Sequence, residues 1–230
     1  MRFSKSRIET FDKCKLQFKL KYVDEIDIPQ AVNDDTNFGS LIHKAFEIYN
    51  PETKNLKEVV ALVRQYPLDQ QSYKDAIEPT LRNMMKFYEQ FPHPDAKNEF
   101  EIQYKSDDMW IYGIVDRMEE ANGKVTITDY KSSKTPANYR HKFQMKLYVL
   151  IMTKTTDYAA EDIRFRMYYP RPDKMEYFQY SSAEIAEFEQ ELRTKIELIE
   201  TTTKFPETIG FHCKWCAFKG TPHCPKQLFR

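Results

Sequence analysis

The sequence predicts a helix-flanked mixed β-sheet, of the α/β or α+β kind, with a short cysteine-bearing tail. Three observations lead there. Apolar residues recur at helical spacing through most of the first 98 residues, then change to strand-like alternation near Phe100. Asn122-Gly123, the strongest short hairpin signal, joins two of the alternating runs. Beyond them a long helical stretch, two more strand-like runs and a final helical stretch follow in order.

Ser6 with Glu9 reads as a capping box opening a helix to about Lys21, with Ile8, Phe11, Cys14 and Phe18 on related faces. Asn37 is the expected cap of a second helix, whose apolar stripe is Leu41, Ile42, Ala45, Phe46 and Tyr49. Leu56 to Arg64 and Ser72 to Phe91 are two more helices, separated by Pro67. Phe100 to Lys105, Met109 to Met118 and Lys124 to Lys131 read as strands. A helix over Tyr139 to Thr153 precedes strands at Ile163 to Tyr169 and Met175 to Tyr180, and Ser182 to Thr203 closes the series. The tail from Pro206 to Arg230 holds three of the four cysteines.

With 35 Lys+Arg against 35 Asp+Glu, the net charge is zero, which excludes coating of nucleic acid by bulk charge but leaves a local basic site open. The N-terminus lacks the apolar stretch of a secretory signal, and no apolar run approaches the roughly 18 residues of a membrane span. The expectation is a single intracellular domain without membrane attachment, whose cysteines are ligands or free thiols rather than disulfides.

The hairpin carries the chemistry. A two-residue turn at Asn122-Gly123 sets Ala121 opposite Lys124 and therefore Asp116 opposite Asp129. Lys131 lies two residues beyond Asp129, on the same face, together with the core-like Ile114, Met118, Val125 and Ile127. Two carboxylates facing each other on an apolar surface repel, so the pattern calls for a cation between them. Oxygen ligands this close suit Mg²⁺, which takes one or two carboxylates plus phosphate oxygens and water. A hairpin with incidental charges explains any one aspartate, but not the convergence of all three groups.

Cys213-Lys-Trp-Cys216 followed by Cys224 has metal-site spacing. His212 or His223 would complete a local Cys₃His zinc knuckle; Cys14, far off in sequence, would complete a four-thiol set.

Asp116 followed by Asp129-Tyr130-Lys131 resembles the PD-(D/E)XK nuclease signature, with Val115 in place of its proline. The surrounding segments resemble the RecB-like branch, which includes CRISPR-associated adaptation nucleases and AddAB-type helicase-nucleases. They are Phe3-Ser4-Lys5-Ser6 with Cys14, Gly39-Ser-Leu-Ile-His43, a glutamate before the first aspartate (Glu101 best, Glu99 second), and Gln144-Met-Lys-Leu-Tyr148. The resemblance spans nearly the whole chain in order. It implies a restriction-endonuclease-like core over residues 99–181, a helical part over 1–98, and a C-terminal helix and cluster tail over 182–230.

It further implies a Mg²⁺- or Mn²⁺-dependent deoxyribonuclease, an exonuclease on single-stranded DNA or DNA ends, serving recombination, repair or replication. Asp116, Asp129, Lys131 and Glu101 would be catalytic. His43, Asp116, Asp129 and the main-chain carbonyl of Tyr130 would ligate the metal. Gln144 and Tyr148, four apart on one helix face, would line the groove with Arg140 and Lys134. Cys14, Cys213, Cys216 and Cys224 would hold a structural 4Fe–4S cluster, with Zn²⁺ the alternative. DNA is the expected partner, with a recombinase, single-strand-binding protein or helicase beside it. The expected location is the cytoplasm of a bacterium or of a virus-infected host. The competing class is a nuclease-like DNA-binding or helicase-accessory protein with little catalysis of its own.

Overall fold

The computed structural model describes residues 1–28, 33–136 and 142–224. The chain forms two compact units. One comprises Met1–Ala31, Gln103–Tyr112 and Ala186–Arg230; the other comprises Val32–Ile102 and Gly113–Ile185.

The helices are α1 (Lys5–Lys13), α2 (Lys15–Tyr22), α3 (Asp34–Ile48), α4 (Leu56–Ala61), α5 (Gln71–Gln90), α6 (Lys142–Thr155) and α7 (Ser182–Thr201). The strands are β1 (Lys97–Lys105), β2 (Trp110–Ala121), β3 (Lys124–Tyr130), β4 (Ile163–Tyr169) and β5 (Lys174–Phe178). They form one sheet in the order β1-β2-β3-β4-β5. The β2–β3 and β4–β5 pairs are antiparallel and β3–β4 is parallel, so the sheet is mixed as expected. A parallel pair needs a long connection, and α6 lies on that connection.

The hairpin has the register its turn dictates. Asn122 and Gly123 take φ of 52° and 72°, and pairing runs from Ala121↔Lys124 to Arg117↔Thr128. Asp116 and Asp129 are the next residues along the two strands. The chain alternation then sorts β3 into two faces. Tyr130 faces α3 and α5: its ring stacks on Phe46 at 3.7 Å and meets Phe87 edge-on at 5.7 Å. Phe87 in turn stacks on Tyr168 at 4.8 Å, and Tyr88 donates its hydroxyl to the Phe46 carbonyl at 2.6 Å. Asp129 faces the other way, toward α6, whose Gln144 donates to it.

The same aromatic side also holds buried charge. Arg117 donates to Glu119 at 2.7 Å, and Arg166 donates to both oxygens of Glu119 at 3.3 Å. Arg117 also donates to the Phe91 carbonyl, and the Arg166 guanidinium lies 3.8 Å from the Phe91 ring centroid. These contacts fasten the end of α5 over the sheet.

In the first unit, Phe3 pairs with Ile111, donating to Trp110 and accepting from Tyr112. On α7, Phe188, Leu192, Ile196 and Ile199 are buried at helical spacing. Lys195 of that helix pairs with Asp12 at 2.7 Å, and Arg193 pairs with Asp108.

Four local expectations are corrected. The first helix is capped by Ser4, whose hydroxyl accepts from Arg7, rather than by Ser6, and it breaks at Cys14 instead of running to Lys21. Cys14 is extended (φ −161°) and caps α2 with its own sulfur, which accepts from the Gln17 amide at 3.5 Å. Asn33, not Asn37, caps α3; Asn37 sits a turn inside and donates to the Pro67 carbonyl. Ile114 is 48% exposed rather than core, because the Asp116 face is open at that end of the sheet. The start of the Tyr139–Thr153 helix, with Tyr139 and Arg140, lies outside the described residues.

Phe46 is the contact through which α3 is fixed to β3. Phe46→Ala should cost about 3–5 kcal/mol, read from urea denaturation midpoints. A loss under about 1 kcal/mol would mean that the Tyr130 stack does not hold α3 in place.

Candidate metal centre

Three elements converge at the Asp116 end of the hairpin. Helix α3 brings His43, β1 brings Glu99 and β2 brings Asp116. One ligand atom from each lies within 4.8 Å of the others. His43 Nδ1 is 3.5 Å from Asp116 Oδ1, and Asp116 Oδ2 accepts from the Tyr130 amide at 2.6 Å. That last bond takes the place of a ladder contact and aims the carboxylate across to β3.

Asp129 lies beside this trio, 3% exposed. Its Oδ1 accepts from Gln144 Nε2 at 2.8 Å, and its Oδ2 sits against Lys131 Nζ. Gln144 also bonds the Tyr148 hydroxyl at 3.1 Å, and Tyr148 donates to the Ile114 carbonyl at 2.7 Å. The (i, i+4) pair on α6 therefore forms one chain of bonds from β2 to Asp129.

Gly113 makes room for this chain. A Cβ there would lie 2.2 Å from Tyr148 Cε1, so only glycine lets the tyrosine ring lie against β2.

The electrostatics favour a cation. Burial raises the Asp129 pKa; Lys131 opposes that shift, and the Asp116 charge adds to it. Burial likewise raises Glu99, with Asp116 adding to the effect. His43 is pulled down by burial, but the hydrogen-bonded Asp116 carboxylate and the Asp129 charge outweigh this, and its net shift is upward. Lys131 behaves in the same way, with burial opposed and exceeded by Asp129. Negative charge is thus crowded into a half-buried space that protons and one ammonium only partly neutralise. An imidazole nitrogen with hard carboxylate oxygens fits Mg²⁺ or Mn²⁺.

The structure brings together His43, Asp116, Asp129, Lys131, Gln144 and Tyr148. It selects Glu99 over Glu101 for the trio. In a regular strand the two share a face. Glu99, however, takes a left-handed φ of 47°, which breaks that equivalence. Lys134 is exposed on the segment after β3, and Arg140 lies outside the described residues. The Tyr130 ring is part of the core. The buried Arg117–Glu119–Arg166 set was missed, although two charges alternating on a strand's apolar face were its visible signal.

The four cysteines line one small cavity in the first unit, and all four are free thiols. Cys14 Sγ accepts from Gln17 and from Thr208 at 3.4 Å, while the Leu16 amide donates to the Pro206 carbonyl at 3.3 Å. These bonds lay the tail on the start of α2. His212 is 3.7 Å from Cys213 Sγ. Burial raises the thiol pKa values of Cys216 and Cys224, and the neighbouring sulfurs, Cys14 among them, push the same way.

The sequence model of the PD-(D/E)XK nuclease superfamily matches residues 2–223. The solved structure of "Putative exonuclease" from Eubacterium rectale is similar at a TM-score of 0.62 and 10% identity, covering 93% of this chain and 87% of that one. The structure of SSO0001 covers 94% of this chain and 96% of its own at 16% identity, with a TM-score of only 0.39. No curated protein matches the chain. Among the described residues, no helix is long and apolar enough to cross a membrane.

Gly113→Ala should destabilise the protein by about 1–3 kcal/mol through overpacking against Tyr148. In a Tyr148→Ala background the same change should cost much less, so a double-mutant cycle reads a coupling of roughly 1 kcal/mol or more. Additive losses would show that the ring does not occupy the space above Gly113.

Proposed function

The chain belongs to the PD-(D/E)XK nuclease superfamily, and from that premise we propose a Mg²⁺- or Mn²⁺-dependent deoxyribonuclease, an exonuclease acting on single-stranded DNA or DNA ends. One observation carries the reading: His43, Glu99 and Asp116 offer ligand atoms within 4.8 Å, directly beside the Asp129–Lys131 pair.

The residues divide the work. His43, Glu99, Asp116 and Asp129 would hold the divalent ion, with the Tyr130 carbonyl as a further oxygen. The ion supplies Lewis acidity and charge neutralisation at a scissile phosphate. Gln144 fixes the orientation of Asp129 by bonding Oδ1, and leaves Oδ2 to Lys131. Tyr148 anchors Gln144 in turn. Lys131 places its ammonium against Asp129 on that side of the site. There it would neutralise charge that develops on the phosphate or position the attacking water. Glu99 would take the role first expected of Glu101, because its carboxylate is the one in the trio. Lys134 and Arg140 would follow the strand's phosphates by charge alone.

For the cysteines we infer a structural 4Fe–4S cluster held by Cys14, Cys213, Cys216 and Cys224. Four thiols around one cavity match the usual ligand set. A single Zn²⁺ with bonds of about 2.3 Å would draw the sulfurs to roughly 3.8 Å apart. Four sulfurs lining one cavity suit the four iron corners of the cluster. Such a cluster would tie α2 to the tail and need not exchange electrons.

Asp129→Ala and Lys131→Ala, each purified folded, should lose metal-dependent cleavage of labelled DNA by a factor of about 100 or more. Activity near wild type in either would reject the site. Protein purified anaerobically should be brown, with about four iron atoms and matching acid-labile sulfide per chain, and Cys14→Ser should abolish the colour. A colourless protein with stoichiometric zinc would replace the cluster with the Zn²⁺ alternative.

A further inference from the structure

The tail exposes two aromatic rings that the cysteine cavity does not use. Phe211–Trp215 is a short 3₁₀ turn between Gly210 and Cys216. His212, Cys213 and Cys216 line the cavity, whereas Phe211, Lys214 and Trp215 do not. The turn therefore keeps its sulfur side inward and its aromatic side out. Phe211 is 76% exposed and Trp215 56%, while Phe218 close by in sequence is buried.

Leaving such rings in water forgoes the gain that burying them would bring. Here they are also held in place. The two rings meet edge-on, with centroids 4.8 Å apart and planes at 80°. Lys214 Nζ lies 5.8 Å from the Phe211 centroid and 5.7 Å from that of Trp215. The charge around them has one sign. Residues 204–224 carry three exposed lysines, Lys204, Lys214 and Lys219, against one acid, Glu207. Among the described residues, none of these lysines forms an ion pair. Residues 1–22 carry seven lysines and arginines against Glu9 and Asp12, and the Cys14–Thr208 and Leu16–Pro206 bonds lay that segment on the tail. A chain of zero net charge thus gathers positive charge around an exposed aromatic pair.

We propose that this face of the tail binds single-stranded DNA, with bases stacking on Trp215 and Phe211 and the adjoining phosphates meeting Lys214 and Lys219. Aromatic rings set among cations hold a single strand without reading its sequence. The positive charge selects an anionic partner. The open rings select unpaired bases, because a duplex keeps its base faces stacked on one another. The proposal rests on the nuclease reading for the identity of the strand as DNA. It adds a hold on that strand in the unit that carries the cysteines, built from none of the metal-centre residues.

The test is binding without turnover. Protein as purified, with no Mg²⁺ or Mn²⁺ added, is titrated into a labelled deoxythymidine oligonucleotide of about 20 nucleotides and followed by fluorescence anisotropy. Wild type should bind, and Phe211→Ala and Trp215→Leu should each weaken binding about fivefold or more. Trp215→Phe keeps a ring and should retain most of the affinity. Both side chains are exposed, so the melting temperature and the bound iron or zinc should stay unchanged in all three. Lys214→Ala should flatten the dependence of affinity on salt. Duplex DNA of the same length should compete about tenfold less well than the single strand, and phosphatidylglycerol vesicles should not compete. No binding by wild type, unchanged affinity in folded Phe211→Ala and Trp215→Leu, or equal competition by the duplex or the vesicles would overturn the proposal. A protein that binds the strand through Trp215 yet cleaves no DNA with Mg²⁺ would instead reject the nuclease reading alone.

Discussion

The confrontation of Asp116 with Asp129 across the β2–β3 hairpin is the constraint on which the rest of the site depends. Like charges opposite one another destabilise a strand pair. Here the structure offsets that cost piece by piece. The Tyr130 amide and His43 engage Asp116, while Gln144 and Lys131 engage Asp129. Glu99 then adds a third carboxylate instead of relieving the first two. An arrangement that adds negative charge to negative charge makes physical sense only around a cation.

Rigidity reaches this site through strand alternation. Asp129 and Lys131 face the carboxylates, and Tyr130 between them is driven into the aromatic stack with Phe46 and Phe87. The helix that supplies His43 also supplies Phe46, one turn further on, so the imidazole is registered to β3 by a core contact. On the opposite face, Gly113 admits the Tyr148 ring, and Tyr148 holds Gln144 in place. Both faces of the sheet thus position one short segment of β3, which suits chemistry that depends on placement to a fraction of an ångström.

Sequence reasoning succeeded where local rules are rigid. A two-residue turn leaves only one register, so Asp116 and Asp129 could be set opposite each other from spacing alone. The mixed sheet followed from the change of hydrophobic period near Phe100. Failure came where tertiary context decides. Nothing in the run Asn98-Glu99-Phe100-Glu101 announces the left-handed φ that distinguishes Glu99 from Glu101. Helical periodicity continues through Cys14, yet the chain extends there so that its sulfur can cap α2 and meet Thr208 from the far end of the sequence. Ile114 has the pattern of a core residue and lies on a face that the sheet leaves open at that end.

If His43, Glu99 and Asp116 form a divalent-cation site, equilibrium Mn²⁺ binding, followed by electron paramagnetic resonance of the free ion, reports it without reference to catalysis. Wild-type protein should take up Mn²⁺, with affinity falling by about tenfold or more in Asp116→Asn and in Glu99→Gln and staying near wild type in Glu101→Gln. Equal affinity in wild type and Asp116→Asn, or a loss in Glu101→Gln that Glu99→Gln does not share, would contradict the account.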